Sequence, residues 1–277
     1  MRLALLVVLG SLTARADVFL FGDASAGWHL VNENGERLRT LTTIAGVAPA
    51  DATVSRDGKR WAVVTSPASP SERRSLLLAS RPDGKSERSI TSKGNVLDGV
   101  AFSHDGAWVY FSANDDAQPT FANEPMKYAQ IYRAEFTSGR VERLTLEAGC
   151  HMWPRPTASG AVVNSHATCR GGRSLEVRTG TRNIATLVPN TTTVGEAAPS
   201  ADGKTIFYVQ PTARGDELLV VSVRDGVTSK WGDTVIRSVR TRPQWASPDA
   251  VLFQNAGRLW RSRPGVLEPL SELRVNE

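Results

Sequence analysis

The chain lacks the features that would mark it as a membrane protein, a helical protein or a motif-bearing enzyme. No apolar run reaches the ~20 residues that a spanning helix needs. The longest, Leu3 to Leu12, is ten residues broken at Gly10 and Ser11. No segment beyond it repeats apolar residues at helical spacing. The four histidines, His29, His104, His151 and His166, form no HxxxH or HExxH pair, and no Gly-x-Ser-x-Gly nucleophile elbow is present. An excess of one charge is missing too, since 33 Lys and Arg face 28 Asp and Glu. Without the concentrated basic footprint of a nucleic-acid binder, nucleic acid is not an expected partner.

What is present begins with an export signal. Met1-Arg2 supplies a short positive start, Leu3 to Leu12 the apolar stretch, and Ala14-Arg15-Ala16 a small-x-small cleavage site. Residues 1–16 are therefore expected to be a signal peptide, with one domain over 17–277 and no transmembrane segment in the mature chain. No Cys follows the apolar stretch, so a lipid-modified N-terminus is not expected, and the location is read as periplasmic or secreted. Losing Arg2 and Arg15 leaves 31 basic against 28 acidic residues, a net charge of +3 that serves solubility. In such an oxidising compartment the two cysteines, Cys150 and Cys169, are expected to pair, closing a loop worth roughly 3 kcal/mol. The alternative is a thiol or metal site built from Cys150, His151, His166 and Cys169. Its CH and HxxC flanks are not the tight pairs zinc sites use, so no metal and no cofactor is expected.

The organisation appears as an internal repeat. Val54-Ser-Arg-Asp-Gly-Lys-Arg-Trp-Ala-Val-Val64, Phe102-Ser-His-Asp-Gly-Ala-Trp-Val-Tyr-Phe111 and Pro199-Ser-Ala-Asp-Gly-Lys-Thr-Ile-Phe-Tyr208 carry the same anchor. Pro156-Thr-Ala-Ser-Gly-Ala-Val-Val163 and Trp245-Ala-Ser-Pro-Asp-Ala-Val-Leu-Phe253 are degraded copies. Spacings of 48 (Gly58 to Gly106), 54 (Gly106 to Gly160), 43 (Gly160 to Gly203) and 47 (Asp202 to Asp249) are blade-sized. Asp57-Gly58, Asp105-Gly106 and Asp202-Gly203 are read as structural turns, Gly supplying positive φ and Asp bonding nearby amides. The β-branched and aromatic run after each turn suits a strand packed on both faces, which assigns Trp61 and Trp108 to the core. A second hairpin recurs between anchors, at Thr137-Ser-Gly139 and Arg224-Asp-Gly226, so each repeat holds four strands. The fold expected is all-β: a propeller of about six four-stranded blades, near residues 17–50, 51–98, 99–151, 152–195, 196–241 and 242–277. The first blade has no anchor and lacks its first strand, which the stretch after Leu267 is expected to supply, so that N- and C-terminal strands close the ring.

The repeated Ser-x-Asp-Gly-x-x-Φ-x-Φ anchor, with Φ apolar, resembles the TolB-type propeller repeat, strongly at Ser55–Gly58, Ser103–Gly106 and Ser200–Gly203 and weakly at Ser159-Gly160 and Ser247-Pro-Asp249. Similar repeats occur in the periplasmic Tol-system protein, in propeller caps of serine peptidases and in some polysaccharide lyases. The chain is read as a propeller following its signal directly, without the Tol protein's N-terminal α/β domain and without an α/β-hydrolase domain.

Candidate binding residues fall in loops, where propellers place function. The longest departure from the period, Asn114 to Tyr128, offers Phe121, Met126 and Tyr128 as anchors and Asp115 and Asp116 as charge, against the reading of an incidental surface loop. A basic set, Arg170, Arg173, Arg178 and Arg182 with Arg237, Arg240 and Arg242, would suit an anionic glycan, lipid headgroup or acidic peptide if it met on one face; the alternative is scattered solvated arginines. No catalytic residue is assigned. The leading reading is an envelope platform for a protein or peptide partner, monomeric; the alternative is a carbohydrate-binding or lyase-like propeller using its central channel.

Overall fold

The computed structural model describes residues 17–272 apart from 24–26, 67–72, 84–86, 91–95, 98, 115–128, 148, 168–172, 193–195, 237–241 and 256. The expected signal peptide lies outside the described residues. Six antiparallel sheets follow one another along the chain. The first holds β1 (Val18–Asp23), β2 (Gly27–Asn32) and β3 (Arg37–Leu41), and the second β4 (Pro49–Val54), β5 (Trp61–Thr65), β6 (Leu76–Ala79) and β7 (Arg88–Ile90). The third holds β8 (Ala101–Phe102), β9 (Trp108–Asn114), β10 (Ala129–Glu135) and β11 (Val141–Arg143). The fourth is built of β12 (Cys150–Pro156), β13 (Val162–Ala167), β14 (Arg173–Thr179) and β15 (Arg182–Thr192). The fifth contains β16 (Ala197–Pro199), β17 (Thr205–Thr212), β18 (Gly215–Ser222) and β19 (Thr228–Ile236). The sixth is β20 (Gln244–Ser247), β21 (Ala250–Asn255), β22 (Arg258–Arg263) and β23 (Val266–Glu272). These are the six blades of a β-propeller. No helix among the described residues is long and apolar enough to cross a membrane.

Each anchor folds into one hydrogen-bonded turn between the first and second strands of its blade. The hydroxyls of Ser55, Ser103, Ser200 and Ser247 donate to Asp57, Asp105, Asp202 and Asp249 at 2.6, 2.6, 2.7 and 2.6 Å. The same Asp oxygen accepts the amide of Lys59, Ala107 or Lys204, and the Ser oxygen accepts the amide of Arg60, Trp108 or Thr205. Gly58, Gly106 and Gly203 take φ of 71°, 68° and 70°, the left-handed region that a side chain would disfavour. Where Ser159 replaces Asp in the fourth blade, Thr157 Oγ1 meets its hydroxyl at 2.9 Å, a weaker neutral version of the bond.

Strands after the anchors are buried on both faces because each blade packs between two others. Trp61 is buried, whereas Trp108 is half-exposed and lies under the guanidinium of Arg133, 4.2 Å from the ring centre. Between blades two and three, Val64, Leu76, Leu78, Val109, Phe111 and Ala113 form one apolar cluster.

The ring junction departs from expectation at one point. Arg263 pairs with Val266 across the Pro264-Gly265 turn, which sends the C-terminal stretch straight back onto β22, so β23 becomes the outer strand of blade six and does not complete blade one. Blade one has three strands, and β1 itself lines the centre. Glutamines of blade six serve its inner edge: Gln254 Oε1 accepts from the Gly22 amide at 2.9 Å, and Gln244 Nε2 donates to the Leu20 carbonyl at 3.2 Å. The N- and C-terminal blades then seal through Phe19, Phe21, Val31, Leu252 and Leu259.

Candidate functional site

Strand direction divides the ring into two rims. First strands run towards the anchors, so all anchor turns share one rim, and second strands run away from it. The segments 115–128 (between β9 and β10), 168–172 (between β13 and β14) and 237–241 (between β19 and β20) are therefore all flanked by strand ends on the opposite, far rim. Phe121, Met126, Tyr128, Asp115, Asp116, Arg170, Arg237 and Arg240 lie outside the described residues. Arg173 opens β14 at the far rim.

At the far rim the channel mouth is closed by a charged hub. Asp51, Gly99, Trp153 and Glu196 stand four residues before Ser55, Ser103, Thr157 and Ser200, Asp51 and Trp153 within β4 and β12 and Gly99 and Glu196 just before β8 and β16. Asp51 is buried and ion-paired to Arg242, whose own amide donates to Glu196 at 2.7 Å. The amide of Gly99 also donates to Asp51, while Arg155 reaches the Gly99 carbonyl at 2.9 Å. Arg242 lies 4.8 Å from the ring centre of Trp28, so every blade contributes one group. Burial alone would raise the Asp51 carboxyl; the adjacent Arg242, the Gly99 amide and Arg155 outweigh it and hold the carboxyl below its ordinary 3.8. Arg242 is thus committed inside the hub and does not form an exposed basic face with Arg173.

On the anchor side the channel widens into a cavity of about 130 Å³ bordered by β1 and the five first strands, with Arg155 and Arg242 at its inner end. Sites that enclose a sugar- or drug-sized molecule hold roughly 300–1,000 Å³.

A second constellation sits in the seam between blades three and four, at the far-rim end. His151 on β12 is directly opposite His166 on β13, and the imidazoles stack with centroids 4.3 Å apart at 8°. Glu176 on β14 is diagonal to His166 on the same face, two residues from the partner Ser174. His166 Nδ1 is 2.8 Å from Glu176 Oε1, and His151 Nδ1 is 3.6 Å from Oε2. Arg178, one step further along that face, bridges Glu176 and Glu147 at 3.1 Å each. Burial pushes the His151 imidazole down, keeping it neutral. For Glu176 burial acts upward, but both histidines and Arg178 reverse it and hold the carboxyl far below its ordinary range.

Sequence reasoning named Arg242 only as part of an exposed basic set and weighed His151 and His166 only in a metal site with the two cysteines; it missed Asp51 and Glu176. Asp51 and Arg242 are 191 residues apart. The usable signal was the charge of Asp51 and Glu196 at one repeat position inside an apolar strand. His151 and His166 could have been set opposite each other by counting outward from the Thr157–Gly160 turn. A register shift between Met152 and Arg155 displaces that count by one, and the intervening segment 168–172 hides Glu176. Cys150 is buried at the head of β12, and its expected partner Cys169 lies outside the described residues.

Comparison with known proteins places this geometry in a class. No family model and no curated protein matches the chain. Among solved structures, TolB from Acinetobacter baumannii superposes with a TM-score of 0.64 at 18% identity, over 94% of this chain and 65% of that one. A putative TolB from Agrobacterium tumefaciens gives 0.63 at 14%, over 93% and 89%. Hydrazine synthase from Kuenenia stuttgartiensis gives 0.60 at 11%, over 90% and 74%. The chain has a TolB-like six-bladed propeller fold. It spans 65% of the Acinetobacter TolB chain.

Proposed function

We propose that this protein is an exported platform of the cell envelope that binds a protein or peptide partner at the far rim of its ring. The observation that carries the reading is the shared rim: the segments bearing Phe121, Met126, Tyr128, Arg170 and Arg240 all spring from strand ends on one side, around a hub that every blade helps to lock. A rigid ring presenting aromatic and charged loops needs no further chemistry to bind. The TolB-like fold supports an envelope role, and the residues 1–16 support export, with Cys150 and Cys169 paired after it. A glycan or lyase site in the central channel draws less support, because the channel cavity of about 130 Å³ is small for a sugar chain and Arg242 is already paired.

The test is site-specific photo-cross-linking in cells from position 121, with the anchor-rim position 104 as control. A protein adduct formed from 121 and missing from 104 is the expected result. Equal adducts from both, or none from either, overturn the reading.

A further inference from the structure

We propose that His151, His166 and Glu176 form a binding site for one divalent transition-metal ion, of which zinc is the best match, tying together three adjacent strands of blade four where it faces blade three. Each residue supplies a ligand atom, and the three atoms lie within 4.8 Å of one another. Two imidazole nitrogens and a carboxylate oxygen are a donor set that zinc accepts, with a fourth position left for water.

Two independent observations favour an ion over a closed hydrogen-bond cluster. Among the described residues neither ring nitrogen of His151 has a hydrogen-bond partner, nor does Nε2 of His166, although the His151 side chain is fully buried. Buried polar atoms are almost always satisfied, so orphaned lone pairs on two facing rings call for a ligand. The rings lie nearly parallel with centroids 4.3 Å apart, so one ring turns about its Cβ–Cγ bond when both in-plane lone pairs meet a single ion. The charges around them also fit a cation: Glu176 and Glu147 oppose the single Arg178, so the cluster carries one net negative charge. Arg178 holds the carboxylate in place from its other side, the part an outer-sphere partner plays in a metal site. Strand geometry delivers the donors: a direct cross-strand pair plus a diagonal neighbour puts three side chains on one face without any sequence motif. The site does not depend on the partner-binding reading.

The experiment uses the purified mature chain, stripped with chelator and titrated with Co²⁺ and Zn²⁺. One equivalent should bind, with visible ligand-field absorption from Co²⁺ that Zn²⁺ displaces, and Zn²⁺ should raise the melting temperature. His166→Gln and Glu176→Gln should each weaken binding at least 100-fold, while His104→Gln leaves it unchanged. His166 is partly exposed, and circular dichroism of the metal-free variants separates misfolding from lost affinity. In the wild-type chain itself, Zn²⁺ should shift the imidazole nitrogen resonances of two histidines out of four. Absence of a stoichiometric equivalent in the wild type overturns the proposal. So does binding that folded His166→Gln and Glu176→Gln retain undiminished.

Discussion

Two seams of one ring, built from the same repeat, are held together by opposite physics. Between blades two and three, Val64, Leu76, Phe111 and their neighbours fill the middle of the seam with apolar side chains, while Arg60 and Arg88 cross it to the carbonyls of Gly106 and Ser138. Between blades three and four the apolar part is split into two smaller clusters, Tyr110, Ile131, Leu144 and Val162 in one and Leu97, Ala129, Cys150 and Met152 in the other, and beside them lie Gln130, Thr145, Asn164, His151, His166, Glu176 and Arg178. Both lie under one scaffold of inner strands. A seam that only has to cohere is filled with carbon. A buried seam filled with titratable and amide groups costs desolvation, and propellers tolerate that where the groups hold something or set a register.

The contrast is broken most severely from either side of blade three. Phe111 on β9 faces the apolar seam, and Phe111→Ala should cost about 3–5 kcal/mol in urea unfolding, with the loss following the cavity left behind. Arg178→Met in the polar seam should cost a similar ~3–5 kcal/mol, because it removes the guanidinium paired to the buried Glu176 carboxylate and leaves only the two imidazoles beside it. If the two seams differ as described, removing Glu176 as well should recover most of the Arg178→Met loss, whereas no second substitution of that kind rescues Phe111→Ala.

The hub should respond to acid where the apolar seam does not. Asp51 has its folded-state carboxyl below the ordinary 3.8, so it stabilises the ring fully above that value, and the contribution is lost as pH falls through the lower folded value. Asp51→Asn should therefore lower stability by about 3 kcal/mol at neutral pH. Its deficit relative to wild type should shrink steadily below pH 3.8, measured by thermal melts. Gly99→Ala is the next smaller effect. A Cβ there would stand 2.8 Å from Trp153 Cα at a φ of +101°, which should cost about 1–3 kcal/mol by the same melts. The smallest is Ser103→Ala, which removes the hydroxyl that joins Asp105 to the Trp108 amide and should cost about 1 kcal/mol, irrespective of which seam the blade faces.

How legible each feature was follows from the distance over which it is specified. The anchor turns were readable because all their bonds close within six residues, from Ser55 to Arg60 or Ser103 to Trp108, and their repetition set the blades within a few residues of the observed sheets. The ring closure was misjudged because its deciding signal, the Pro264-Gly265 turn, competes with a long-range pairing that no local pattern ranks. The histidine cluster escaped for a subtler reason. The register that sets His151 opposite His166 depends on a single irregular residue step, and a one-residue slip in a strand moves a side chain to the other face.

From its residues alone, this protein was determined to be an all-β ring of six repeats, since turn chemistry and alternating apolar strands are local and are written out repeatedly along the chain. Tertiary structure alone decided what fills the spaces between repeats: that Asp51 meets Arg242 at the hub, that glutamines of blade six cap the inner edge of β1, and that His151, His166 and Glu176 converge in one seam. Those contacts join groups 10 to 232 positions apart. Their geometry is set by ring closure and strand register, which act on the whole chain at once and leave no mark on any one segment of it.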